Sequence, residues 1–318
     1  MRKKIKILLL ILLFIIVFVI SAIISMNITG SAPQKLLSVE ANNFVGTIYT
    51  DLSYENQNDN KYDLYVPEGL DKNENQQLIL FIHGGSFNSG SKEDFDLWCK
   101  YYASHGYNTA TIDYTLQMQG LEADLNLMNE EIWNAVNAIF EESNRLGYHV
   151  TEMATAGVSA GGTLAMNYAY KHADTSPIPV RFIFQLAAPV DFEPKDWGLL
   201  MKVNGIKTEL GFVELMTGAQ ITDAMMVSGE YTPYIDAISP ARLVNENSVP
   251  TLSGYGLRDH CVPVELKYLL FDALEKYDVP YDYIEFPNSN HGMYSDLDKL
   301  EEFLSMSLEY CEKYFSKE

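Results

Sequence analysis

The sequence predicts an α/β fold: a mostly parallel sheet with helices on both faces. Apolar runs such as "QLILFIHGG" are continuous and end in glycine, which marks strands buried on both faces of a parallel sheet. Strand-like and helix-like stretches alternate along the chain, as α/β connections require. The 318 residues are 47% hydrophobic and 12% aromatic, enough for a sizeable core and too apolar for disorder.

In chain order, Arg2, Lys3, Lys4 and Lys6 come first, followed by residues 7–24, which are apolar except for Ser21. That run reaches the ~18 residues of a membrane span and exceeds the ~7–15 of a signal-peptide core. Basic residues before a span stay in the cytoplasm, which leaves the body of the chain outside. Residues 1–26 are therefore expected to be a single-pass anchor, with a cleaved signal as the other reading; both export the domain. Residues 27–43 read as a linker and 44–318 as the globular domain.

Within the domain, "FVGTIYTDLSY" and "KYDLYVP" flank the polar "ENQNDN" and predict a hairpin. "QLILFIHGG" is the first buried strand, "KEDFDLWCKYYASHG" a helix and "NTATIDY" the next strand. A helix over 121–146 leads into the strand "EMATAGV", and the helix after Ser159 gives way to "RFIFQLAAPV". "PTLSGYG" and "YDYIEFP" read as strands flanking the helix "PVELKYLLFDALEKY". The C-terminal helix sets Leu297, Leu300, Leu304, Leu308 and Cys311 on one face. One segment, about 193–234, breaks the rhythm: it has no strand, and Met201, Met216, Met225 and Met226 sit among Trp197, Phe212 and Tyr231. It reads as a helical insertion, either a cap over the sheet or a plain packing layer.

The net charge is −21, and residues 1–34 hold no acid, so the domain is more acidic than the whole chain. Such a body is repelled by phosphate backbones, which argues against nucleic-acid binding. Cys99, Cys261 and Cys311 are too few and too widely spaced for a disulfide framework or a zinc site, and read as small buried residues with at most one opportunistic bridge.

Ligands of an open parallel sheet bind at the carboxyl ends of its strands, and four signals fall there. Gly157-Val158-Ser159-Ala160-Gly161 fits G-x-S-x-G between a strand and a helix, a turn that lifts a serine hydroxyl out of the sheet. "FIHGGSF" holds His83, Gly84, Gly85 and Ser86 after the first buried strand. The amides of Gly85, Ser86 and Ala160 are candidate oxyanion donors, and His83 reads as structural. Asp259 in "GLRDHCVP" and His291 in "NSNHGM" each follow a later strand, giving the chain order serine, acid, histidine. His260 is the rival base, and Asp236 and Asp272 are rival acids.

These stretches resemble α/β-hydrolase esterases related to hormone-sensitive lipase, especially the bacterial feruloyl-esterase-like and kynurenine-formamidase-like branch. The likeness runs from about residue 60 to 295 through "YDLYVP", "FIHGGSF", "GYNTATIDY", "AGVSAGGTLA", "GLRDHCVP" and "NHGM". The resemblance implies an α/β-hydrolase fold with the triad Ser159, Asp259 and His291. It also implies hydrolysis of small or polymer-linked short-acyl esters, with no metal or organic cofactor. An acyltransferase on the same scaffold and a non-catalytic binding protein remain as alternatives. Two positions depart from the pattern: Ser86 replaces the third glycine of the strict lipase motif, and Thr115 stands where the family's "DYR" has arginine, so a buried salt bridge is expected to be missing.

Overall fold

The computed structural model describes residues 32–54, 60–117, 123–203 and 205–316. The expected membrane segment at 7–24 and most of the "ENQNDN" turn lie outside these residues. No helix among the described residues is long and apolar enough to cross a membrane.

Eight strands form one sheet in the order β1-β2-β4-β3-β5-β6-β7-β8. The first two are β1 (Gly46–Ser53) and β2 (Lys61–Pro67), followed by β3 (Asn75–Ile82) and β4 (Asn108–Ile112). Then come β5 (His149–Val158), β6 (Val180–Leu186), β7 (Thr251–Gly256) and β8 (Tyr281–Phe286). β1 pairs antiparallel with β2, as the hairpin predicts, and β2 antiparallel with β4; every remaining pair is parallel. The register of β1 slips between Tyr49 and Leu52, where Asp51 takes φ 55 and forms a bulge.

Side-chain alternation sorts the core into two clusters, one on each face of the sheet. Leu78, Leu80 and Ile82 of β3 face α3 (Leu125–Leu146), α4 (Ala160–His172) and α10 (Lys267–Lys276). Ile79 and Phe81 face α1 (Ala32–Ala41), α2 (Asp96–Ser104) and α11 (Leu297–Tyr314). A buried parallel strand must be apolar on both sides, and that produces the unbroken runs in the sequence.

Three local expectations change. Residues 32–41, read as linker, form α1, because Leu37 and Ala41 find a buried place on that second face. The helix expected from residue 121 starts at Leu125, where the Asp124 carboxylate accepts from the amides of Asn126 and Leu127 and caps it. On α11, Leu300, Leu304 and Cys311 are buried together with Phe303 and Tyr310, while Leu297 is exposed, so the apolar stripe lies slightly round from its expected line.

The missing arginine at Thr115 is answered by neutral donors. The buried Glu131 carboxylate accepts from the Thr115 amide (2.7 Å), from the Thr115 hydroxyl and from Asn60 Nδ2 (2.8 Å). Hydrogen bonds therefore satisfy a carboxylate that would otherwise be expensive to bury.

Candidate active site

At the carboxyl end of β5 the chain turns into α4 through Ser159 alone, with φ 55 and ψ −126. A non-glycine residue in the left-handed region carries strain, and here it aims the hydroxyl out of the sheet. Gly157 and Gly161 flank the turn; a Cβ on Gly161 would stand 1.9 Å from the Ile82 carbonyl oxygen, so β3 and α4 can meet only at glycine.

His291 follows β8, and its Nε2 lies 2.9 Å from Ser159 Oγ. Its Nδ1 lies 2.7 Å from Asp259 Oδ2, on the loop after β7. With Nδ1–H donating to the Asp259 carboxylate, Nε2 is left free to accept the serine proton. Asp259 is fixed in turn: its Oδ1 accepts from the amides of Cys261 (2.7 Å) and Val262 (3.1 Å), and its side chain is 3% exposed. The structure thus joins Ser159, His291 and Asp259 in one hydrogen-bonded chain. The rivals stand elsewhere: His260 and Asp272 are exposed, and Asp236 pairs with Arg242.

Beside the hydroxyl, the loop after β3 holds Gly85, Ser86 and Phe87 at φ 108, 54 and 64. A Cβ on Gly85 would meet the Ser89 carbonyl oxygen at 2.1 Å, so only glycine can turn there. The amides of Gly85, Ser86 and Ala160 donate to no carbonyl among the described residues, which leaves three N–H groups free near Ser159. Gly84 packs against Val158, next to the serine. His83 does not join the relay. Its ring is buried and stacked on Tyr114 (4.3 Å, 10°), its Nδ1 bonds the Gly84 carbonyl at 2.7 Å, and Tyr114 donates to the His83 carbonyl. Burial pushes the His83 pKa below the ordinary histidine value, so it stands as a neutral strut.

Two hollows open on Ser159 and His291. One, of about 270 Å³, runs under the helical insertion and is lined by Phe87, Phe192, Trp197, Phe212, Leu215 and Met216. The insertion holds α5 (Gly198–Val203), α6 (Glu209–Thr217), α7 (Asp223–Ser228) and α8 (Thr232–Asp236), and the cavity-lining residues it supplies come from Trp197, Ile206 and α6. Of its four methionines only Met216 lines this cavity; Met201 is buried, and Met225 and Met226 pack against the core. The other hollow, of about 420 Å³, shares Ser86, Ser159 and His291 with the first and is lined by Trp98, Tyr294 and α1, which contributes Gln34 and Leu37.

Three features escaped the sequence. The loop carrying His291 is braced by Asp296, which accepts from Ser289 Oγ (2.7 Å) and from the amide of Asn288 (2.9 Å). Burial works against the Asp296 anion, yet these donors hold its pKa below the usual carboxylate value. Cys261, expected to be buried, is exposed and lines the cavity wall, whereas Cys99 and Cys311 are buried; all three are free thiols. Ligand atoms of Cys261, Asp259 and His291 lie within 4.8 Å of one another, but the histidine and the carboxylate are already committed to each other.

Residues 62–274 match the BD-FAE family, over more than half of the chain. Endo-1,4-beta-xylanase B of Butyrivibrio fibrisolvens is 25% identical over 229 residues, 69% of this chain and 32% of that protein. Esterase LipI of Mycobacterium tuberculosis is 28% identical over 124 residues, 39% of this chain and 37% of that protein. Among solved structures, a propionate-bound thermophilic esterase of Thermogutta terrifontis superposes with TM-score 0.63 at 18% identity, over 86% of this chain and 97% of that one. Esterase B of Lactobacillus rhamnosis superposes with TM-score 0.65 at 15% identity, over 91% and 96%. At such identities the superpositions establish the fold, which is that of the α/β-hydrolases. The chain spans about a third of the length of these two relatives.

Proposed function

Because the chain belongs to the BD-FAE family, we propose that it is a serine carboxylesterase that cleaves short-acyl esters through an acyl-enzyme. The observation that carries this reading is the relay from Ser159 through His291 to Asp259, at 2.9 and 2.7 Å, with a cavity opening at its serine end. His291 takes the Ser159 proton as the oxygen attacks the ester carbonyl, and Asp259 steadies the imidazolium. The amides of Gly85, Ser86 and Ala160 face the developing oxyanion, each donor contributing about 2.7–4 kcal/mol. His291 then returns the proton to the departing alcohol, and water repeats the sequence to release the acid and restore Ser159.

The two hollows supply a place for each half of an ester. The roofed cavity takes the acyl group: at about 270 Å³ it falls just below the ~300–1,000 Å³ typical of drug-sized ligands and suits a short chain. The Thermogutta terrifontis structures hold propionate and butyrate, acids of that size. We further propose that residues 7–24 tether the domain outside the cell, on the strength of their apolar run and the four cations before it.

A fluorophosphonate probe that captures reactive serines tests the chemistry. It should label the protein once, and labelling should vanish in Ser159→Ala; labelling that persists in that variant refutes the assignment. Chromogenic esters from acetyl to octanoyl should show an optimum at about two to six carbons, and an optimum at long chains overturns the acyl reading. Protease added to intact cells should remove the domain, and a protected full-length chain rules out the tether.

A further inference from the structure

Arg242 lies outside the cavity, in the short helix α9 (Pro240–Leu243) that precedes β7. Its guanidinium nevertheless holds the two residues on either side of a cavity wall. Nε and Nη2 reach Asp191 at 2.5 and 3.1 Å, Nη2 also reaches Glu193 at 2.8 Å, and Nη1 reaches Asp236 at 2.8 Å. Between Asp191 and Glu193 sits Phe192, whose ring stacks on Trp197 (5.6 Å, 12°), which stacks on Phe212 (6.2 Å, 20°). All three rings line the cavity above Ser159. Trp197 is tied to the same point, since its indole N–H donates to the Asp191 carbonyl at 3.0 Å. Tyr231 closes the cluster by donating to Glu193 at 2.5 Å, and the Ser239 hydroxyl accepts from the Phe192 amide at 3.1 Å.

We infer that Arg242 is a positioning residue for acyl-chain selectivity: it fixes the aromatic column of Phe192, Trp197 and Phe212, and thereby the depth of the cavity. This deepens the esterase reading and rests on it. The Asp191 side chain is 5% exposed and that of Arg242 24%, so the fork between them works largely out of water, where a two-pronged arginine–carboxylate pair is strong and directional. The guanidinium is also the counter-charge for three carboxylates at 191, 193 and 236. Without it they repel one another, and the Phe192 segment is the strip of chain on which two of them ride. Lysine would restore the charge but not the fork.

The test compares the parent with Arg242→Met and Arg242→Lys on chromogenic esters from acetyl to octanoyl, each protein first shown to be folded by its thermal transition. In Arg242→Met the preference for short over long chains, taken as the ratio of kcat/KM for acetyl and octanoyl esters, should fall by about fivefold or more. The change should sit mainly in KM, and kcat on the acetyl ester should stay within about threefold, because Arg242 bonds neither the Ser159 relay nor the 85–87 loop. Arg242→Lys should fall between the two. An equal loss at every chain length, or an unchanged ratio, overturns the inference. If Arg242→Met does not fold, Asp191→Asn and Glu193→Gln must each shift the ratio in the same direction, and no shift in either refutes it. Should the parent cleave no ester at all, the esterase reading fails instead. The clamp is then read from Trp197 emission in a Trp98→Phe, Trp133→Phe background: Arg242→Met should shift it to the red, and an unchanged spectrum refutes the clamp.

Discussion

The strand-end loops and the helical insertion meet at Ser159 but are held by different means. Each strand-end group is placed by backbone no more than three residues away: Ser159 by its own forced turn, Asp259 by the amides of Cys261 and Val262, the 85–87 loop by three consecutive positive φ angles. The insertion is placed at long range, by stacked rings and by an arginine that reaches back across some fifty residues to Asp191. Chemistry here depends on short contiguous sequence, and cavity shape on packing between distant segments. Changes at strand ends should therefore act on turnover, and changes in the insertion on which substrate is preferred.

The severest way to break that division is at the nucleophile. Ser159→Ala should lower kcat by on the order of 10⁶ in steady-state ester hydrolysis, and a loss of only about tenfold would show that the chemistry lies elsewhere. Asp259→Asn should cost on the order of 10⁴, because the histidine loses the partner that fixes its tautomer. If Asp236→Asn cost as much, the acid would belong to the insertion's ion cluster. Gly85→Ala drives a Cβ into the Ser89 carbonyl and should lower kcat by about 10²–10³ as an oxyanion donor moves away. On the other side of the division, Phe212→Ala should turn the acyl profile toward longer chains at a stability cost of about 3–5 kcal/mol, read by thermal or urea unfolding. A kcat loss as deep as that of Ser159→Ala would erase the distinction. The smallest effect belongs to Asp296→Asn, with kcat lowered by about tenfold or less as the His291 loop loosens. The low folded pKa of Asp296 gives stability that is present above the unfolded carboxylate value near 4 and is lost as pH falls through the folded one. The variant should therefore lose stability at neutral pH and show a flatter acid limb; an unchanged acid limb would show that Asp296 does not brace the loop.

The same division explains what could be read from the sequence. Buried parallel strands spell themselves out as apolar runs, and ligands of such a sheet bind at strand ends, so Ser159, Asp259, His291 and the Gly85–Ser86 loop stand out in the sequence as candidates, and the structure brings the first three into hydrogen-bond contact. The α1 helix does not stand out: its polar, short segment looks like linker until Leu37 and Ala41 are seen to have a place to be buried. Asp296 resembles any acid before a helix, and only its contacts with Ser289 and Asn288 reveal the brace. Nor could spacing say which methionine lines the cavity, since four lie in short helices whose mutual orientation is set by tertiary contacts. Cys261 was misread for a related reason: cysteine's usual burial is a statistical habit, and the loop geometry around Asp259 overrides it.

The bulge in β1 bears on a different hazard. β1 ends the sheet on one side, and an end strand offers a row of unpaired amides and carbonyls on which another chain could polymerise. Asp51 interrupts that row with a left-handed residue, turns its amide inward to Asp63 at 2.8 Å, and sets its carboxylate against Lys92 at 3.1 Å. At the opposite end, β8 carries Asp282, which accepts from the Tyr310 hydroxyl at 2.8 Å, and Glu285, which pairs with Lys267 at 2.7 Å. The bulged β1 rim is thus a poor template for strand addition, a safeguard built from residues outside the Ser159 site.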